Sequence, residues 1–182
     1  MNNSEIIIIL QSLGIADHVS HLQKPVDLIR QELITYAHFG YKVNRGLLEA
    51  WPQAPEVVFN DLVALGGQEF ACQYLPFLCL LNGFDINGVR LYGFHDEGED
   101  SQDIRRILDY LPFPEIYDGY VLMGSTDLDV LIFDKTNHHF EIRDRIGFDY
   151  IVGSYPQLDQ FLQVLATSIK KSFEDEDEDD RE

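Results

Sequence analysis

Apolar residues recur at helical spacing through the first half of the chain and give way to continuous or alternating runs in the second. Ile6 to Leu10 follow Ser4, which predicts a short helix over residues 5–13 with Gly14 as its stop. Pro25 suits a first helical turn, and Val26, Ile29, Leu33 and Ala37 then mark one face before Gly40. Residues 51–56, with Pro52 and Pro55, read as a loop, and Trp51 beside it as a core plug. Val58, Leu62 and Leu65 predict a helix closed by Gly66-Gly67. Residues 68–81 predict another, broken or restarted at Pro76. Asn82-Gly83 and Asn87-Gly88 are turn signals, and the second leads into a strand over residues 89–94. After a polar loop over residues 95–100, Ser101 opens a helix with Ile104, Ile107, Leu108 and Leu111 at i, i+3, i+4 and i+7.

Beyond Pro114 the pattern turns to strands. Tyr120 to Met123 and Val130 to Phe133 are nearly continuous apolar runs, as expected of strands covered on both faces. Residues 134–138 form a polar link to an alternating strand with Phe140 and Ile142, and a short strand is expected near residues 150–152. Ser154 and Gln157 have the spacing of a capping box around Pro156. The helix that follows presents Leu158, Phe161, Leu162, Leu165 and Ile169 on one face, with Lys170 and Lys171 in its last turn. These elements describe one α+β domain over residues 1–172 and an unfolded acidic tail over residues 173–182.

Charge changes the picture. The 182 residues carry 13 Lys and Arg against 32 Asp and Glu, a net of −19. Such a surface repels nucleic acid and anionic lipid and favours a basic protein partner. Residues 85–134 hold 12 acids and 3 bases, and residues 173–182 hold 8 acids and one Arg. Apolar residues at 45% and charged residues at 25% are ordinary for a globular chain. Cys72 and Cys79 lie seven apart and form no CxxC, which fits reduced, buried thiols in the cytoplasm. The Ile6–Leu10 run lacks the basic flank of a signal sequence, and no stretch approaches the roughly 20 apolar residues of a membrane span. The chain is therefore expected to be soluble and cytoplasmic.

Candidate chemistry is sparse. Asp96, Glu97, Glu99, Asp100 and Asp103 cluster without the glycine and glutamate offsets of a calcium loop. Asp127 and Asp129 flank Leu128 and would share a face within a strand, yet they fit the turn between two strands better than an acid–base pair. His18 and His21 share a helix face beside Asp17 but lack further ligands at zinc spacing, and His138 and His139 point to opposite faces of a strand. No GxSxG, P-loop, GxGxxG or HExxH occurs. The chain is read as a non-enzyme without cofactor or metal. The alternative from this chemistry is a small metal-dependent hydrolase using Asp127, Asp129 and the carboxylates of residues 96–103.

Two segments carry a family resemblance. One runs from Tyr74 to Gly93 and contains Asn82-Gly-Phe-Asp-Ile-Asn-Gly-Val-Arg-Leu-Tyr-Gly93. The other runs from Tyr120 through Gly124-Ser125, Asp129, Phe133-Asp134 and Arg143-Asp144 to the last helix. Together they resemble the SMI1/KNR4 (SUKH) superfamily, closest to its bacterial YrhA-like branch, over about residues 70–170. The long helical part before Glu69 departs from that pattern. The resemblance implies a single α+β domain, a twisted, mostly antiparallel sheet with helices packed on it, without enzymatic residues. Bacterial members are mostly immunity proteins that bind and neutralise a cognate toxin, in many cases a nuclease. Fungal members regulate cell-wall synthesis through protein contacts, so an intracellular regulator or scaffold is the second reading. The expected partner surface is the acidic zone, with Asp96, Glu97, Glu99 and Asp100 in front and Asp127 and Asp129 behind. A nuclease carries Lys and Arg for phosphate, and these acids would meet that charge with complementary potential.

Overall fold

A computed structural model describes residues 3–38, 55–94 and 103–179, with the backbone alone for 3–6 and 174–179. Two helices open it, α1 (Asn3–Ser12) and α2 (Asp17–His38), joined through Gly14 at a φ of 73°. The second begins a full two turns before the predicted start. Pro25 lies buried in its interior, forfeiting one intrahelical bond rather than opening the helix. α3 (Pro55–Leu80) is two helical segments meeting at Gly67, whose φ of 85° and ψ of 174° break the spiral where the paired glycines predict a stop. The predicted break at Pro76 does not occur; that proline is buried within the second segment.

Six strands follow: β1 (Phe84–Ile86), β2 (Val89–Leu91), β3 (Tyr120–Ser125), β4 (Asp129–Asp134), β5 (His139–Asp144) and β6 (Ile151–Tyr155). They form one antiparallel sheet in the order β1-β2-β3-β4-β5-β6, and α4 (Leu158–Asp179) closes the chain. The molecule is thus α+β, with a helical N-terminal part and an antiparallel sheet. Asn87 and Gly88, with φ of 44° and 75°, make the tight β1–β2 turn that Asn-Gly favours. Ser101 lies outside the described residues. Among the described residues between β2 and β3 the predicted helix does not continue: residues 104–106 turn, and short 3-10 segments form at Ile107–Tyr110 and Pro114–Tyr117. Its start is pulled away because Asp103 bridges Gly93 beside β2, with the Ile104 N–H donating to the Gly93 carbonyl at 2.9 Å.

One face of the sheet carries the helices. Phe133 of β4 and Phe140 of β5 have ring centroids 5.0 Å apart, and they meet Phe70 of α3 and Phe161 of α4. Leu158, Phe161, Leu162, Leu165 and Ile169 are all buried, as their spacing predicts. The predicted capping box does not form, because β6 runs through Ser154 to Tyr155. Instead the buried Gln73 of α3 accepts the Leu158 N–H through Oε1 at 2.9 Å, capping α4 from a different element. Lys170 and Lys171 fall mid-helix rather than in a last turn, and the boundary drawn at residue 172 lies inside α4.

The glycines of the resembling segments are backbone contacts. A Cβ on Gly93 would lie 2.4 Å from the Asn82 carbonyl oxygen, and one on Gly124 would lie 2.1 Å from that of Arg90. Asn82 completes this corner by bonding Phe94 twice, its Oδ1 accepting the N–H at 2.8 Å and its Nδ2 donating to the carbonyl at 3.0 Å.

Candidate partner-binding surface

Of the six acids expected to face a partner, Asp127 and Asp129 fall on described residues; Asp96, Glu97, Glu99 and Asp100 lie outside them, as does Trp51. Residues 126–128 link β3 to β4. Thr126 organises the turn: its N–H donates to the Asp129 carbonyl at 2.9 Å, and its Oγ1 accepts the N–H groups of Leu128 and Asp129. The same hydroxyl lies 3.2 Å from Asp129 Oδ2. Asp129 thus serves the turn, half-buried, as its position between two strands suggests. Asp127 is exposed and its carboxylate reaches Gly88, where an added Cβ would stand 2.7 Å from Oδ2. The two carboxylates do not share a strand face, since Asp127 lies in the turn and Asp129 opens β4. Among the described residues no three His, Cys, Asp or Glu side chains come together as a metal group.

Asp103 differs from its acidic neighbours in sequence. It is 2% exposed, and its carboxylate takes the Arg105 N–H at 2.8 Å and the guanidinium at 2.7 Å. Arg105 in turn stacks on Phe94 at 3.8 Å and reaches Asp61 of α3 at 3.6 Å. This clasp holds Phe94 and Asp103 together and so pins both ends of the segment that carries the four foremost acids. The burial of Asp103 follows from Arg105 two residues on, a cation that no other acid of the cluster has at that spacing in sequence.

The sheet face opposite the helices buries charge. Arg143 lies 2.7 Å from Glu141 and 4.0 Å from Asp134, and all three side chains are under 10% exposed. Its guanidinium also sits over the Tyr120 and Phe148 rings. Asp134 Oδ1 accepts the N–H groups of Thr136 and Asn137 in the β4–β5 hairpin. Burial pushes its carboxyl up, but these bonds, the Asn137 amide and the Arg143 charge outweigh that and leave it below the ordinary value. His139 Nδ1 lies 2.9 Å from Ser154 Oγ, which donates to Glu141 Oε1 at 3.3 Å. The order is wrong for a nucleophile triad, since the carboxylate holds the serine rather than orienting the histidine. His138 does not share the strand of His139: it lies in the β4–β5 turn at a φ of 57°, and its Nδ1 meets Glu69 of α3 at 2.9 Å.

His18 and His21 line a shallow cavity with Gln73, Gln157 and Asp159, between the start of α2 and the first turn of α4. Cys72 and Cys79 are free and half-buried; burial pushes the Cys79 thiol up to about 12. Among the described residues no helix is long and apolar enough to cross a membrane. No family model, curated protein or solved structure matches the chain.

Proposed function

We propose that the chain is an immunity protein that binds a basic toxin in the cytoplasm and neutralises it by protein–protein contact. The observation that supports this reading is the disposition of charge. Arg30, Arg90, Arg105 and Arg143 are already paired with Asp27, Asp85, Asp103 and Glu141. The excess carboxylate is left on the surface, where Asp109, Glu115, Asp118, Asp127 and Asp149 are exposed. A net charge of −19 projects a negative field, which accelerates encounter with a Lys- and Arg-rich face and repels nucleic acid. The resemblance to the SMI1/KNR4 superfamily points the same way. The test is co-expression with the toxin domain encoded beside this gene. The chain should restore growth and form a salt-sensitive complex with it. Growth arrest undiminished by the chain, with no complex at low salt, would overturn the reading.

A further inference from the structure

One end of the sheet combines exposed apolar side chains with unpaired acids. Leu128 in the β3–β4 turn is 76% exposed, Ile146 in the β5–β6 loop 98% and Tyr150 68%, and Ile151 opens β6 beside them. Leu128 and Ile146 are neighbours in space because the Arg145 N–H donates to the Leu128 carbonyl at 3.0 Å. The loop is held in this shape. Asp144 Oδ1 accepts the Ile146 N–H at 2.8 Å and the Gly147 N–H, and the Tyr150 N–H donates to the Gly147 carbonyl at 2.7 Å. Phe148 turns inward onto Tyr117 and Tyr120, which anchors the loop over the sheet and leaves Ile146 outside. Arg145, the cation of this end, already donates to the Thr126 and Asp129 carbonyls. Asp127 and Asp149 are exposed, and neither is in an ion pair among the described residues.

A preformed apolar centre with an acidic rim has the composition of a protein interface, whose middle excludes water and whose edge sets orientation. The rim selects the occupant. A second copy of this chain would set acid against acid, and an anionic membrane would be repelled, whereas a face with Lys and Arg around an apolar patch complements both zones. We propose that the β3–β4 turn, the β5–β6 loop and the start of β6 form the docking surface for such a basic-rimmed protein face. This rests on the reading of the chain as a binder of a basic protein and names where that protein sits.

The test uses the full chain, labelled for NMR, and two synthetic peptides of equal charge. One is a helical Leu/Lys amphipathic peptide; the other replaces its Leu with Ser. The amphipathic peptide should shift the amides of residues 126–128 and 145–151 at physiological salt. The double variant Leu128→Ser, Ile146→Ser should weaken it about tenfold or more, since two apolar contacts are removed. Both positions are exposed, so the variant's amide spectrum should otherwise match the parent. Shifts concentrated elsewhere, or unchanged affinity in the double variant, would overturn the docking surface. Co-expression with the neighbouring toxin separates the two readings. Full protection by the double variant would refute the surface while leaving the immunity reading intact. Failure of the parent chain to protect would refute that reading, and the peptide map would still decide the surface.

Discussion

Replacing Gly124 with alanine puts a Cβ 2.1 Å from the Arg90 carbonyl oxygen and 3.1 Å from the Leu91 Cα. Ordinary contact starts near 3.4 Å, so β2 must retreat from β3 by more than an ångström. The backbone pairing of the two strands is short: Arg90↔Ser125, Leu91↔Gly124 and the Tyr92 N–H to the Met123 carbonyl at 2.7 Å. A retreat of that size stretches the last bond beyond hydrogen-bonding range. Losing two or three such bonds costs about 1 kcal/mol each. Residual overpacking adds about 1–3 kcal/mol. The expected loss is about 3–6 kcal/mol, a large part of the roughly 5–15 kcal/mol that holds a domain together. Gly119→Ala is the control: its φ of 85° is unfavourable for alanine, but no atom lies within 4 Å of the new Cβ. It should cost only about 1–2 kcal/mol. Urea unfolding followed by circular dichroism reads both, and with a slope of about 1–3 kcal/mol/M the two midpoints should be clearly separated. A Gly124→Ala midpoint no lower than that of Gly119→Ala would refute the contact argument.

Gln73→Leu removes the cap on α4 and leaves the buried Leu158 N–H without its acceptor; a loss of about 1–3 kcal/mol is expected by the same urea assay, with Gln73→Glu retaining more. Asp134 has a folded pKa below its unfolded value, so its contribution is fully present above the unfolded value of about 4 and is lost as pH falls through the folded one. Thermal melts from pH 6 to pH 2 should therefore show less acid-induced destabilisation in Asp134→Asn than in the parent, and parallel curves would count against it. Because burial raises the Cys79 thiol to about 12, alkylation by iodoacetamide at pH 8 should be far slower in the folded chain than in urea, and equal rates at this cysteine by mass spectrometry would contradict the structure.

The sheet was the most legible part of the sequence because its signals are local. Continuous apolar runs mark β3 and β4, and alternation marks β5. β1 escaped notice, since three residues between two Asn-Gly turns are too few to show a period. Where prediction failed, a distant partner had intervened. Ile104, Ile107, Leu108 and Leu111 have helical spacing, but the Gly93–Asp103 bridge and the Arg105 clasp fix the chain before a helix can start. Ser154 has the right neighbour for a capping box, but its hydroxyl belongs to Glu141 across the sheet, and the cap comes from Gln73, 85 positions earlier. Asp127 and Asp129 could be placed in a turn from their spacing alone. The apolar surface around them could not, because Leu128 and Ile146 look in sequence like any core residues.

The strand order has a consequence for how the chain is made. Every strand pairs with its sequence neighbour, so during synthesis each new strand finds its partner already present and the sheet can grow from one edge. The helical layer follows the opposite logic. α4 packs against α2, more than a hundred residues earlier in the sequence, and its Phe161 covers Phe140. A nascent chain stopped before α4 therefore holds a finished sheet on which α3 covers Phe133 but Phe140 lacks its Phe161 partner, the state in which aggregation or chaperone capture competes with folding. Docking of α4 is thus the step that closes the helical layer over a sheet built from sequence neighbours.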